Sequence, residues 1–102
     1  MKMVNVPLKF RIMELVMESG PIWTQDIVDT LYNEYGMKTQ HEKNMINYDV
    51  IESVSAGFLK EGESKVDEAG VFRQGALLTE YTITQLGRDT VADLRTKVRR
   101  YE

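Results

Sequence analysis

The spacing of apolar residues predicts three helices in the first half of the chain. Residues 7–19, 24–36 and 39–56 each carry apolar side chains three or four positions apart, which is the pattern of a helix with one buried face. The inward-facing positions are Leu8, Ile12, Leu15 and Val16 for the first helix, Ile27, Val28, Leu31, Tyr32 and Tyr35 for the second, and Met45, Val50, Val54 and Phe58 for the third, flanked by Ile46 or Ile51.

The ends of these helices are marked by residues that suit helix termini. Thr24 and Thr39 are expected N-caps, because a threonine hydroxyl accepts a hydrogen bond from a free amide of the first turn. Gly20 is expected to take the left-handed conformation after the first helix, and Gly57 permits the turn out of the third. Between the first two helices, residues 22–23 form a short, apolar, extended bridge.

Beyond the third helix the pattern changes to that of a β-hairpin followed by a last helix. Residues 58–66 are expected to form one strand. Residues 77–83 form a second, in which alternate positions share a face, as in a half-buried strand. One face holds Leu77, Thr79, Tyr81 and Ile83. The segment 67–75 has two glycines and no periodicity, which indicates a loop. Thr84 then caps a final helix with Val91, Leu94 and Val98 on its inner face.

The order of these elements predicts a winged helix-turn-helix. Two helices joined by a turn of about three residues and followed by a hairpin are typical of that arrangement. We therefore predict an α+β fold with three helices, a two-stranded β-hairpin wing and a C-terminal helix, forming a single domain over residues 1–102.

Three segments resemble winged helix-turn-helix transcriptional regulators of the PadR-like and MarR-like kinds. Residues 47–59 (NYDVIESVSAGFL) are similar to the end of a recognition helix and the start of the first wing strand. Residues 81–88 (YTITQLGR) are similar to the second wing strand and the cap of the next helix, and residues 20–23 (GPIW) to the join between the first two helices. The resemblance implies a DNA-binding transcriptional regulator, with its third helix in the major groove and its wing on the backbone or in the minor groove.

Composition excludes several kinds of chemistry. The 102 residues include no cysteine and a single histidine, His41, so disulfide frameworks, thiolate metal sites and cysteine nucleophiles are excluded. No glycine-rich phosphate loop is present, and the paired carboxylates of Asp67 and Glu68 make a poor cation site. We expect no enzymatic activity, no cofactor and no metal. No apolar stretch approaches the roughly 18 residues that span a bilayer, so we expect a cytoplasmic protein.

The candidate DNA-reading residues lie at the start of the third helix. Asparagine and glutamine suit adenine, while lysine or histidine suits guanine or phosphate. The candidates are Thr39, Gln40, His41, Lys43, Asn44 and Asn47, joined by Arg73 in the hairpin loop, which a wing would set into a minor groove. The alternative interpretation is an ordinary helix with a solvated polar face and a solvated loop arginine.

The distribution of charge weighs against DNA contact by the third helix. The chain has 13 Lys+Arg and 16 Asp+Glu, a net charge of −3. Residues 39–59 contain one lysine and three carboxylates, and residues 60–75 contain three basic and four acidic side chains. Because lysine and arginine supply most nonspecific DNA affinity, any phosphate contacts are expected from the chain ends instead. The alternative interpretation of these basic ends is a solvated helix terminus whose charge suits the helix dipole. The basic residues there are Lys2, Lys9, Arg11, Arg88, Arg95, Lys97, Arg99 and Arg100.

Apolar residues outside the main helical faces predict a homodimer. They are Phe10, Met13 and Met17 in the first helix and Leu86 and Tyr101 in the last. A dimer through these two helices would place two third helices one DNA turn apart, whereas the alternative is that the same residues complete the core. The leading hypothesis is thus a dimeric regulator that binds double-stranded DNA. The competing one is a winged-helix module that binds protein without DNA, and a third is a structural or assembly role.

Overall fold

The computed structural model describes residues 7–70 and 74–98, in which four helices pack against a three-stranded antiparallel sheet. In chain order the elements are α1 (Leu8–Ser19), β1 (Ile22–Trp23), α2 (Thr24–Glu34), α3 (Gln40–Ser55), β2 (Leu59–Val66), β3 (Leu77–Ile83) and α4 (Gln85–Val98). The α+β class is the one that the sequence predicts. Within these residues, no helix has the length and apolar character needed to cross a membrane.

The sheet has three strands in the order β1–β3–β2, so the prediction of two strands was wrong. The additional strand is the bridge between the first two helices, which pairs antiparallel with β3. Two residues are too few to show the alternation by which strands are identified from sequence. The sequence therefore predicted only an extended bridge, whereas in the structure its pairing attaches the start of α2 to the sheet.

Thr24 makes this attachment and does not cap α2. Its buried hydroxyl donates a hydrogen bond to the carbonyl oxygen of Thr79 at 3.0 Å and accepts one from the Thr79 amide at 3.0 Å. The N-cap position belongs to Trp23 instead, so the prediction of a Thr24 cap was wrong. The physical reason is that buried backbone groups of β3 require partners, and this hydroxyl satisfies both.

The other predicted helix ends have mixed outcomes. Thr39 is the N-cap of α3, and Gly57 has a positive φ of 86°, both as expected. The Thr84 hydroxyl accepts a hydrogen bond from the Gly87 amide at 3.0 Å and so caps α4. Gly20, however, is extended (φ −62°, ψ 151°) and not left-handed. The position is close to the last turn of α1, because a Cβ on it would lie 2.6 Å from a backbone carbonyl oxygen.

Two apolar clusters form the interior. The larger one joins α1, α2, α3 and the sheet, and its members are Ile12, Leu15, Val16, Ile22, Ile27, Val28, Leu31, Ile46, Val50, Leu59 and Tyr81. In the smaller one, Phe10 and Met13 of α1 pack against Val91 of α4. Much of the apolar surface that motivated a dimer through the first and last helices is therefore buried within one chain. The dimer itself stays a prediction.

The buried face of α3 differs from the predicted one. Ile46, Val50 and Ser53 are buried, whereas Met45, which was expected to face inward, is 46% exposed. Met45 and Ile46 are adjacent, and one residue of an α-helix corresponds to a rotation of about 100°. Both residues belong to apolar series that run along this helix. Packing against α1 and α2 selects the series that contains Ile46, which turns the other outward.

The strand β3 also departs from simple alternation. Leu78 and Thr79 are both buried, while Leu77 is exposed. Pairing between β2 and β3 is irregular between Glu61 and Ser64, so the faces of the hairpin are not continuous along its length.

Candidate interaction surface on helix α3

The first turn of α3 is held by a capping box. The Thr39 hydroxyl accepts a hydrogen bond from the Glu42 amide at 3.2 Å, and the Glu42 carboxylate accepts one from the Thr39 amide at 3.0 Å. The same carboxylate accepts a bond from the Lys38 amide at 2.8 Å. These backbone bonds, from Lys38 and then from Thr39, lower the pKa of Glu42. The turn is thus rigidly defined, and its carboxylate is already occupied.

Four of the six predicted contact residues at the start of α3 are exposed, and two are not. Gln40, His41 and Asn44 face solvent, with the Gln40 amide donating a hydrogen bond to the Asn44 side-chain oxygen at 3.2 Å. Lys43 is half-buried, and its ammonium lies 4.8 Å from the centre of the Tyr32 ring. Asn47 is also half-buried. The contiguous polar patch that the sequence suggested is therefore formed by the four exposed residues alone, which are Thr39, Gln40, His41 and Asn44.

The remaining predicted contact, Arg73, lies outside the described residues. So do Lys2, Arg99 and Arg100, which were expected to contribute phosphate contacts.

Beyond the polar turn, the exposed face of α3 is apolar. Met45, Tyr48 and Ile51 follow one another at intervals of three residues and are 46%, 61% and 49% exposed. We call these three residues the apolar stripe. Tyr48 borders two shallow depressions, one of about 360 Å³ that is also lined by His41, Asn44 and Met45, and another that extends past Ile51. The stripe therefore lines two neighbouring depressions that share Tyr48, and the first of them begins at the polar turn.

A charged cluster borders the stripe. The Glu52 carboxylate of α3 forms an ion pair with the Lys9 ammonium of α1 and accepts a hydrogen bond from the Tyr48 hydroxyl. These two contacts, first that with Lys9, lower the pKa of Glu52. The hydrogen bond to Glu52 raises the pKa of Tyr48 in turn. Lys9 is thereby engaged by the carboxylate next to the stripe and is not an unpaired cation.

Asp49 adds a second carboxylate on the same helix. It is partly buried beside the depression of about 360 Å³, and burial raises its pKa, against the effect of the Lys9 charge. With Glu52, it makes the C-terminal half of this face a region of carboxylates, whereas the N-terminal half presents amide and imidazole groups.

Most of the described lysines and arginines have a partner within the chain. Nine of them lie in residues 7–70 and 74–98; four form ion pairs (Lys9, Arg11, Arg95 and Lys97) and two lie over aromatic rings (Lys43 and Lys65). Of these nine, the other three, Lys38, Lys60 and Arg88, show neither kind of contact, and they lie on separate segments. They do not form a compact basic patch on one element.

Two of the arginines expected near phosphate, Arg11 and Arg95, belong to an internal network. Arg11 forms a two-pronged pair with Glu34 of α2, with N–O distances of 2.8 and 3.0 Å. Arg95 of α4 donates to Glu14 and Glu18 of α1 at 3.0 and 3.1 Å. Burial opposes the charge on Arg11, but the hydrogen bond and charge of Glu34 outweigh it and raise its pKa. This network holds three helices together and uses basic side chains that DNA would otherwise require.

The apolar stripe was missed because its residues were assigned partly to the core. The sequence nevertheless contains a signal: α3 carries two apolar series, one through Ile46 and Val50 and one through Met45 and Ile51. A helix with one core-facing side cannot bury both. The second series is thus a candidate surface, although the sequence alone does not say which of the two faces outward.

The described residues contain no cluster of histidine and carboxylate side chains that would hold a metal ion. No family model, no curated protein and no solved structure matches the chain.

Proposed function

We propose that this chain is a winged-helix interaction module that binds protein through the exposed face of α3. The order α2–turn–α3 followed by the β2–β3 hairpin supports a winged-helix arrangement, with β1 as a third strand beside the hairpin. In such an arrangement α3 is the helix that contacts the partner. The chemical character of the exposed α3 side chains therefore indicates which kind of partner the helix binds.

The observation that carries the proposal is the exposure of Met45, Tyr48 and Ile51 on one face of that helix. Contiguous apolar surface on a small chain marks a contact with another apolar surface. Methionine and tyrosine are enriched in protein interfaces, where aromatic rings act as anchors. Burying the stripe removes apolar area from water, which favours association.

Electrostatics supports the same choice of partner. DNA-binding domains obtain much of their affinity from several phosphate contacts made by lysine and arginine. Here Asp49 and Glu52 lie beside the stripe, and the nearest basic residue on α1, Lys9, is paired with Glu52. A phosphate backbone against this half of α3 would be repelled, whereas a protein surface with hydrogen-bond donors would be accommodated.

A second candidate function is DNA binding by a dimeric transcriptional regulator. The specific observation in its favour is the polar first turn, where Gln40, His41 and Asn44 are exposed and side-chain amides suit adenine. Lys38, next to that turn, is without an ion pair in the part of the chain that the structure describes. For this function, the N-terminal half of α3 alone would have to recognise the DNA.

Titration of the chain into fluorescently labelled duplex DNA of random sequence separates the two functions. The proposal expects no saturable change in anisotropy at low salt, on the order of 50 mM. It is overturned by binding that weakens steeply when the salt is raised to about 200 mM and that is lost in the double variant Q40A/N44A. The matched control is Q85A on α4, which also replaces an exposed glutamine near a helix start.

A further inference from the structure

We propose that the occupant of the apolar stripe is a second copy of this chain, packed antiparallel against it through α3. This inference rests on the proposed function, since it names the protein that the stripe binds. Its basis is the distribution of side chains along the helix, which is complementary to itself after a two-fold rotation.

The centre of this symmetry is Tyr48. Met45 and Ile51 lie three residues to either side of it, with similar exposure of 46% and 49%. In an antiparallel pair centred on Tyr48, Met45 of each copy faces Ile51 of the other, and the two rings meet in the middle. A two-fold interface requires such reciprocal contacts, because both copies present the same patch.

The polar groups beyond the stripe are also complementary. The same geometry sets Asn44 of one copy opposite Glu52 of the other, so that an amide donor meets a carboxylate. His41 comes opposite Ser55, which is exposed at the other end of the helix. Each helix N-terminus, with its partial positive charge, then lies beside the carboxylate-bearing half of the second copy. A parallel arrangement would instead bring Asp49 and Glu52 against their own counterparts.

The size of the apolar stripe determines how tightly two copies of the chain are expected to associate. A stable interface buries about 800 Å² on each partner, which is more than three half-exposed side chains provide. The association is therefore expected to be reversible and micromolar. Dimer formation covers the face of α3 that a DNA-reading helix would use.

The test is sedimentation equilibrium of the full chain at concentrations on the order of 10–500 µM. M45K and I51E each place an unpaired charge in the interface, and each variant alone is expected to weaken dimerisation by more than about tenfold. In an equimolar mixture of the two, Met45 and Ile51 still meet on one side while the introduced lysine and glutamate meet on the other. The mixture is therefore expected to recover most of the lost association.

The control is L77S, which removes another exposed apolar side chain, on β3, and is expected to leave dimerisation unchanged. All four chains are compared by circular dichroism to establish that their fold is intact. The inference is overturned by a chain that stays monomeric over the whole range, or by single variants that lose association without recovery on mixing. If in addition duplex DNA is not bound, that result removes the second copy as the partner but leaves protein binding by α3 in place.

Discussion

Replacing the neighbouring residues Met45 and Ile46 by alanine, one at a time, tests which side of α3 faces the core. The two changes produce the same residue at adjacent positions of one helix, so differences in helix propensity contribute little. Ile46 is fully buried in the larger apolar cluster, and Met45 is 46% exposed. The structure therefore expects very different effects on the free energy of unfolding.

The magnitude follows from burial. Truncating a fully buried isoleucine to alanine removes apolar contacts and leaves a cavity, which costs about 2–5 kcal/mol. For a domain of about 100 residues, each 1 kcal/mol lowers the melting temperature by about 4–8 °C, so I46A is expected to melt at least about 8 °C below the unmodified chain. M45A removes a side chain that is largely solvated, and its effect is expected within about 0.5 kcal/mol.

The assay is urea unfolding followed by far-ultraviolet circular dichroism, in dilute solution so that association does not contribute. If I46A does not fold, I46V gives the same comparison at a smaller cost of about 0.5–1.5 kcal/mol. The reasoning is refuted if M45A lowers the free energy of unfolding as much as I46A does, because the face that we describe as exposed would then be in the core.

Three further predictions concern the contacts that position α2 and α3. T24V removes the hydroxyl that bonds to both backbone groups of Thr79, and it is expected to lower the free energy of unfolding by about 1–3 kcal/mol. T24S retains the hydroxyl and is expected to lower it less. Equal losses of stability for the two variants in a thermal melt would contradict this role of Thr24. T39A removes the N-cap of α3 and is expected to cost about 1 kcal/mol in the same melt, and an unchanged melting temperature would count against the cap. Because the pKa of Glu42 is lowered from its ordinary value of 4.5, its stabilising contribution is complete above pH 4.5 and is lost as the pH falls through the lowered value. Stability measured between neutral pH and pH 3 should therefore fall more for the unmodified chain than for E42Q, and parallel curves would refute the assignment.

Much of the fold follows from the sequence because its signals are local. The amphipathic helices, the threonine cap at Thr39 and the turn at Gly57 depend on residues within a few positions of one another. The two-residue strand and the role of Thr24 depend instead on β3, which is 55 residues away in the chain. Such long-range pairing leaves no pattern at the position itself.

Only half of the candidate site could be predicted from the sequence. The polar residues Gln40, His41 and Asn44 stand out by type and position, and the structure does leave them exposed. The apolar stripe was hidden, because Met45 and Ile46 compete for the core and their spacing fits either face. The outcome depends on how α3 packs against α1 and α2, which is a property of the tertiary structure.

The contacts of the basic residues could not be predicted from the sequence either. Composition counts Arg11 and Arg95 as positive charge at the chain ends, but it does not show that both are paired with glutamates of neighbouring helices. Once those pairs are known, the excess negative charge of the chain can be assigned to particular parts of its surface. The carboxylates Asp49 and Glu52 lie on the helix that was expected to enter the major groove.

Sedimentation velocity of the full chain, with and without a labelled duplex of about 20 base pairs at low salt, distinguishes protein binding by α3 from DNA binding. We expect the mass of the chain to rise with concentration from 11.8 kDa towards that of a dimer, while the sedimentation of the duplex does not change. A chain that stays at 11.8 kDa when alone and sediments together with the duplex would contradict the account.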